Sequence, residues 1–168
     1  FTDVNNNGTV LTAADRVAKW DGSNWSALGS KGAAKGSITS GTVYSLGVNG
    51  SNVYVGGQFT DVNNNGSVLT AADYLAKWDG NNWSAIGSNG VGDGAITSKG
   101  GSFIFAFAMQ GSNLFAGGMF FDLNNGGTVF PQADYLAKWD GANWSSLGTA
   151  ANGALVGGYA NNQVYAIA

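Results

Sequence analysis

Cysteine and histidine are both absent from this chain of 168 residues. Without cysteine the chain has no disulfide, no thiol nucleophile and no cysteine ligand for a metal ion. Without histidine it lacks the commonest general base and the commonest transition-metal ligand. The two absences therefore weigh against catalysis, and we predict that the protein is not an enzyme.

Charged residues are also scarce. They make up 10% of the chain, and the net charge is −3. Nucleic acids and anionic membranes attract strongly basic surfaces, so this charge balance predicts that neither is a partner. Few charges and no cysteine are typical of a bacterial surface or secreted protein, and we expect an extracellular or cell-surface location. The apolar run Phe103–Met109 is too short to cross a bilayer, so no transmembrane segment is predicted.

Glycine, in contrast, is abundant, with 28 residues, and many Asn, Ser and Thr residues accompany it. These residue types favour turns. Apolar residues still make up 44% of the chain and aromatic residues 12%, which excludes a disordered polypeptide. We therefore expect a folded chain with frequent turns.

Three copies of one repeat run along the chain. Phe1–Ser30 aligns with Phe59–Ser88 without a gap, and 25 of these 30 positions are identical. A third copy starts at Phe120, and Val164–Ala168 restarts the segment that precedes each copy. Repeats of this length pack against their neighbours to bury their apolar faces. The first two copies differ at five positions: Thr9/Ser67, Arg16/Tyr74, Val17/Leu75, Ser23/Asn81 and Leu28/Ile86.

Each copy is predicted to form four short strands, because β-branched and aromatic residues fill short runs between Asn-Gly or Asp-Gly turns. In the middle copy these strands are Val43–Val48, Val53–Phe59, Tyr74–Trp78 and Trp83–Ile86. Four antiparallel strands per repeat are the pattern of a β-propeller blade. We therefore predict an all-β fold of antiparallel four-stranded blades. The predicted units are 1–42 (a partial blade, repeat one), 43–102 (repeat two), 103–163 (repeat three) and 164–168 (the start of the next blade).

The order of motifs within a copy resembles a kelch-type blade. The pair Gly56-Gly57 lies in the second predicted strand, Trp78 ends the third, and Trp83 begins the fourth. A kelch repeat likewise carries a double glycine, then an aromatic residue, a turn and a Trp. The chain differs in having Trp78 where kelch repeats have Tyr, a shorter turn and an insertion after the double glycine. The closer resemblance is to the kelch-like repeats of large bacterial surface proteins, which implies a β-propeller at the cell surface.

Three blades do not close a ring, since propellers use about four to eight. The chain also begins after strand two of one predicted blade and ends within strand one of another. We therefore predict a segment of a longer polypeptide, or an assembly in which several chains supply blades. Open ends expose strand edges, which favours association. Identical repeats present identical surfaces, which favours repetitive association into filaments or sheaths.

The insertion between the second and third predicted strands has the spacing of a calcium loop. Asp61–Gly66 follows the order D-x-N-x-N-G, in which alternate oxygens converge on the ion. The twelfth position, normally Glu, is Ala72, and the third copy lacks the third oxygen ligand. The alternative is an Asn/Gly-rich turn held by bonds between side chains and backbone, with Asp15 and Asp73 bonding the start of strand three. The candidate calcium ligands are Asp3, Asn5, Asn7, Thr9, Asp15, Asp61, Asn63, Asn65, Ser67 and Asp73.

Two Trp residues recur in every copy. Exposed Trp can stack on sugar rings, so each pair is a candidate glycan-binding site. The alternative is packing within and between blades, which the identical placement in each copy favours. The six residues are Trp20, Trp25, Trp78, Trp83, Trp139 and Trp144.

The sequence thus predicts a non-catalytic propeller segment at the cell surface that mediates adhesion or self-assembly and contributes to a filament or sheath. Its expected partners are further copies of itself, other surface proteins or polysaccharide. One alternative is a glycan-binding, lectin-like propeller. Another is a fragment of a secreted enzyme whose catalytic residues lie in further blades.

Overall fold

The computed structural model describes residues 1–32, 34–96, 101–148, 155 and 163–168. These residues form sixteen strands, paired antiparallel in small open sheets, and no helix. The all-β prediction is therefore confirmed. No described segment forms a helix of the length and apolarity that crossing a membrane requires. The last part of predicted repeat three lies outside the described residues, at 149–154 and 156–162.

Repeat one forms two separate hairpins. The first pairs β1 (Val4–Asn6) with β2 (Thr9–Leu11), and the second pairs β3 (Ala18–Trp20) with β4 (Trp25–Ala27). The Asp-Gly turn before Trp25 closes the second hairpin, so that Trp20 and Trp25 face each other across the strands.

Repeat two forms a four-stranded sheet in the order β5-β6-β9-β10, and a separate hairpin, β7-β8, follows β6 in the chain. The predicted strands match β5, β6, β9 and β10 to within about one residue at most ends. The six strands are β5 (Thr42–Asn49), β6 (Asn52–Gln58), β7 (Val62–Asn64), β8 (Ser67–Leu69), β9 (Leu75–Trp78) and β10 (Trp83–Ala85).

Repeat three has the same arrangement. Its sheet has the order β11-β12-β15-β16, and β13-β14 is the inserted hairpin. Its strands are β11 (Phe103–Gln110), β12 (Asn113–Met119), β13 (Leu123–Asn125), β14 (Thr128–Phe130), β15 (Leu136–Trp139) and β16 (Trp144–Ser146).

The inserted hairpins add two strands to the four that the sequence predicts for each copy. In β7-β8 the turn is Asn65-Gly66, and both residues have positive φ, at 50° and 99°. Asn and Gly tolerate this conformation, and it matches the two-residue turn that joins tightly paired strands. The same dipeptide occurs in the D-x-N-x-N-G spacing, so the motif that suggests a metal loop also encodes a hairpin.

The double glycine is required by close packing. A Cβ on Gly57 would lie 2.1 Å from the carbonyl oxygen of Thr42 in β5, beside the bulge at which Tyr44 leaves the register. A Cβ on Gly56 would lie 2.6 Å from Ile104 of the next repeat. Only glycine therefore allows β5 and the next repeat to approach β6 so closely.

The hydrophobic core lies between repeats rather than within each sheet. Two clusters of buried side chains occupy the two junctions, and each uses the same positions of the repeat. A single sheet of this size cannot bury both faces, so neighbouring repeats cover each other. Junction one, between repeats one and two, contains Val17, Leu28, Ile38, Val55, Phe59, Val62, Ala72, Ala76 and Trp83. The equivalent residues of junction two are Leu75, Ile86, Ile96, Ala116, Phe120, Leu123, Ala133, Ala137 and Trp144.

Candidate functional sites at the repeat junctions

Each Trp pair forms a cross-strand contact. The ring centroids of Trp78 and Trp83 are 5.5 Å apart, and the rings are inclined by 51°. The pairs in repeats one and three have nearly the same geometry, at 5.4 Å and 47° and at 5.4 Å and 52°. The structure therefore brings together the two Trp residues that the sequence groups in each copy.

The second Trp of a pair crosses the junction. The indole N–H of Trp83 donates to the carbonyl oxygen of Leu28, at 2.7 Å. Trp144 donates in the same way to Ile86, at 2.8 Å. Both rings are buried, with 2% and 1% of their surface exposed. A buried indole N–H must find an acceptor, and here the acceptor is the backbone of the preceding repeat.

The inserted hairpins reinforce these junctions. The backbone N–H of Asn63 donates to the Ser37 carbonyl of repeat one, at 2.9 Å. The side-chain oxygen of the neighbouring Asn64 accepts the backbone N–H of Trp83, at 3.0 Å. At junction two, Asn124 donates to Ala95 at 2.8 Å. The hairpin thus links the preceding repeat to the Trp that crosses the junction.

Trp25 lies where no preceding repeat covers it within this chain. It is 38% exposed, whereas its counterparts Trp83 and Trp144 are buried. Phe1 is 67% exposed, although its counterpart Phe59 is buried. Repeat one therefore presents the apolar face that repeats two and three each bury.

The candidate calcium ligands lie on the inserted hairpins and beside them. The side-chain oxygen of Asn63 accepts the Gly66 N–H at 2.7 Å, and Asn5 and Asn124 make the equivalent bond in the other repeats. Asn63 lies within the extended strand β7, whereas Asp61 precedes that strand and has a positive φ of 58°. No group of three or more His, Cys, Asp or Glu side chains that could hold a metal ion occurs among the described residues.

Two further candidate ligands, Asp15 and Asp73, bind backbone amides. Asp73 accepts the N–H of Asp61 at 2.9 Å, and Asp15 accepts the N–H of Gly36 at 2.8 Å. Burial raises the pKa of the Asp73 carboxyl, although the N–H groups of Asp61 and Gly94 oppose this shift. These carboxylates hold the base of the hairpin and the loop that follows the repeat.

The turn aspartates have pKa values shifted in the opposite direction. The Asp79 carboxylate accepts the N–H groups of Asn82 and Asn81, at 2.7 and 2.8 Å. These two bonds lower its pKa, with a smaller contribution from Lys77. The pKa values of Asp21 and Asp140 are lowered by the equivalent bonds. The three carboxylates therefore stabilise the turns that present the Trp pairs.

A row of aromatic rings, which sequence reasoning missed, runs from repeat to repeat. Phe105 lies 5.4 Å from Tyr44 and 5.1 Å from Tyr165, between ring centroids. Phe103 stacks on Phe105 at 5.6 Å. Tyr44 and Tyr165 are largely exposed. The signal in the sequence is the recurrence of an aromatic residue at the same position before each second strand.

Two cavities occupy equivalent places in repeats one and two. The first, of about 500 Å³, is bounded by Phe1, Thr2 and Arg16. The second, of about 340 Å³, is bounded by Phe59, Thr60 and Tyr74, each 58 residues later in the chain. The cavity therefore recurs with the repeat. Its lining includes Arg16 in repeat one and Tyr74 in repeat two, one of the five positions at which these copies differ.

Comparison of the chain with known protein families, with curated proteins and with solved structures gave no match.

Proposed function

We propose that the chain is a non-catalytic segment of an extracellular or cell-surface β-propeller, built from kelch-like repeats, that mediates self-assembly or adhesion. The four-stranded sheets are its blades, and further copies of the chain, other surface proteins or polysaccharide are its partners. The observation that carries this proposal is the repeated junction, in which the same apolar residues and the same indole bond join one repeat to the next.

The recurring polar residues support a structural role. Asp79, its equivalents and the hairpin asparagines all bond to nearby backbone groups. A catalytic centre is a single asymmetric site, whereas these bonds recur in each copy. The residues that the sequence repeats are thus the residues that shape turns and junctions.

We infer that Trp25 of repeat one and Leu147 of repeat three belong to matching halves of a junction. Repeat one exposes Trp25, which matches the buried Trp83 and Trp144. At the other end, the half-buried Leu147 is the counterpart of Leu28 and Ile86, whose carbonyl oxygens accept the indole bonds. A second copy placed head to tail brings Trp25 of one chain against Leu147 of the other and extends the series of junctions.

The test is the mass of the chain in solution, measured by light scattering after size exclusion over a range of concentrations. We expect species heavier than the 17.1 kDa monomer, growing with concentration, and short rods in negative-stain micrographs. Trp25→Lys places a charge on the docking face and should return the chain to a monomer.

Val91→Lys is the matched control, because Val91 is 86% exposed and is not part of either junction cluster. This variant should assemble as the parent does. A parent chain that stays monomeric at every concentration contradicts self-assembly. A parent and a Trp25→Lys variant that assemble equally show that another surface is responsible.

A further inference from the structure

The cavity of repeat two has the chemistry of a sugar-binding site. Its floor is aromatic, formed by the buried side chains of Phe59 and Tyr74. Its rim carries the hydroxyl or amide groups of Ser40, Thr60 and Gln58. Each described residue that lines it is uncharged. An apolar floor with a few polar groups around it is the usual form of a small-molecule site.

An aromatic side chain, Phe103, lies near the cavity without lining it. Phe103 follows Ser102 in the chain, and its ring lies 3.7 Å from where a Cβ of Gly101, another lining residue, would stand. Phe103 also belongs to the exposed aromatic row, 6.2 Å from Tyr44 between centroids. A flat apolar ring near the cavity suits the C–H face of a sugar whose hydroxyls reach the polar rim.

The equivalent cavity of repeat one differs in charge. Arg16 stands where Tyr74 stands in repeat two, and this is the least conservative of the five differences between the two copies. The Arg16 side chain donates to the carbonyl oxygens of Gly41 and Ile38, both at 2.7 Å. The guanidinium group therefore gives the lining of the first cavity a positive charge, whereas the second keeps a neutral aromatic floor.

We propose that the cavity bounded by Phe59, Thr60 and Tyr74 binds a neutral sugar ring. Its volume of about 340 Å³ lies at the lower end of the range of about 300–1,000 Å³ for ligand pockets, so it accommodates one ring of a glycan rather than a long segment. This inference deepens the adhesive form of the proposed function, since it names the ligand class, and it does not depend on the head-to-tail contact.

The test is saturation-transfer NMR on the whole chain with soluble probes. The neutral probes are glucose, galactose, mannose and N-acetylglucosamine, with maltose and cellobiose to separate a free sugar from a ring within a chain. Glucuronic acid is the anionic probe. We expect saturable binding of at least one neutral sugar, with a dissociation constant of about 1 mM, and weaker binding of glucuronic acid.

Two rim substitutions locate the site. The double variant Thr60→Val, Gln58→Ala removes a hydroxyl and an amide from exposed positions, and we expect binding at least tenfold weaker with an unchanged melting temperature. Thr2→Val is the matched control, because Thr2 is the equivalent threonine of the cavity that the charged Arg16 lines. Its binding should equal that of the parent.

A third variant tests the floor. Tyr74→Arg copies repeat one, where the fold already accommodates Arg at this position, and it should abolish binding of the neutral sugar. The proposal is overturned if no neutral probe binds, if glucuronic acid binds best, or if the Thr60 and Thr2 variants weaken binding equally. Any of these outcomes, with assembly in solution retained, leaves the assembly proposal standing and removes only the sugar site.

Discussion

Ser45 and its counterpart one repeat later differ in whether they bury a polar atom. Ser45 in β5 is buried, and its hydroxyl has no hydrogen-bond partner among the described residues. The counterpart in β11 is Ala106, which fills the same place without a polar atom. A buried hydroxyl without a partner loses its hydration and gains nothing in return.

Replacing Ser45 by Ala should therefore stabilise the protein. We expect Ser45→Ala to raise the free energy of unfolding by about 1 kcal/mol, measured by urea denaturation followed by far-ultraviolet circular dichroism. Ser37→Ala is the control, because Ser37 is also buried but donates to the Leu28 carbonyl at 3.2 Å. That variant should lose stability, and a gain in both variants would contradict the argument.

The strand hairpins depend on their turns, and the turns depend on ionised aspartates. Asp79 accepts two backbone N–H bonds that lower its pKa below the ordinary 3.8. The bonds therefore stabilise the folded state fully above that ordinary value. The contribution is lost as the pH falls through the lowered pKa of the folded state.

The melting temperature at acid pH tests the contribution of these turns. The triple variant Asp21→Asn, Asp79→Asn, Asp140→Asn keeps a side-chain oxygen acceptor in each turn but cannot titrate. We expect the melting temperature of the parent to fall as the pH drops below the ordinary pKa of 3.8, and that of the variant to fall less. At neutral pH both should still fold, and identical pH profiles would exclude the turn aspartates as the cause.

The inserted hairpins give a second test at this scale. The Asn63 side chain is bonded to the Gly66 N–H, and β7 is extended, so we expect no calcium-dependent stabilisation. Calorimetric titration with calcium chloride should be silent, and a chelator should leave the melting temperature unchanged. Asn63→Ala should lower the melting temperature with or without calcium. Heat of binding that disappears in Asp61→Asn would instead establish the calcium site.

Sequence alone predicts the elements better than the sites. Short runs of β-branched and aromatic residues between Asn-Gly and Asp-Gly turns are sufficient to place β5, β6, β9 and β10. The hairpin β7-β8 was missed because Asn65-Gly66 satisfies two patterns, a metal loop and a two-residue turn, and only the paired backbone distinguishes them. The cavity beside Tyr74 could not be predicted, because residues far apart in the chain, such as Ser40 and Gly101, line it.

Across the whole molecule, stability resides in the junctions. The buried clusters lie between repeats, so each repeat depends on its neighbour to complete its core. Arrays of this kind gain stability from the interfaces between repeats as well as from the repeats themselves. A residue that crosses a junction should therefore contribute far more to the free energy of unfolding than its counterpart on an uncovered face.

The Trp residues test this dependence within one chain. Trp83→Phe removes the bond to Leu28 and leaves a gap in junction one, and we expect a loss of about 2–3 kcal/mol in the free energy of unfolding. Trp144→Phe should behave alike at junction two. Trp25→Phe, on the exposed face of repeat one, should change stability by less than about 0.5 kcal/mol. Urea denaturation at a concentration where the chain is monomeric provides the comparison, and equal losses at Trp25 and Trp83 would disprove it.

The indole bond to a backbone carbonyl has a genetic consequence. The carbonyl is present whatever residue stands at that position, so the acceptor survives the exchange of Leu28 for Ile86. A repeat copied or lost through recombination between near-identical coding segments brings its own Trp and its own acceptor. It therefore joins its new neighbours through the same contact as before. The length of such an array is free to change in a single event, without any compensating mutation.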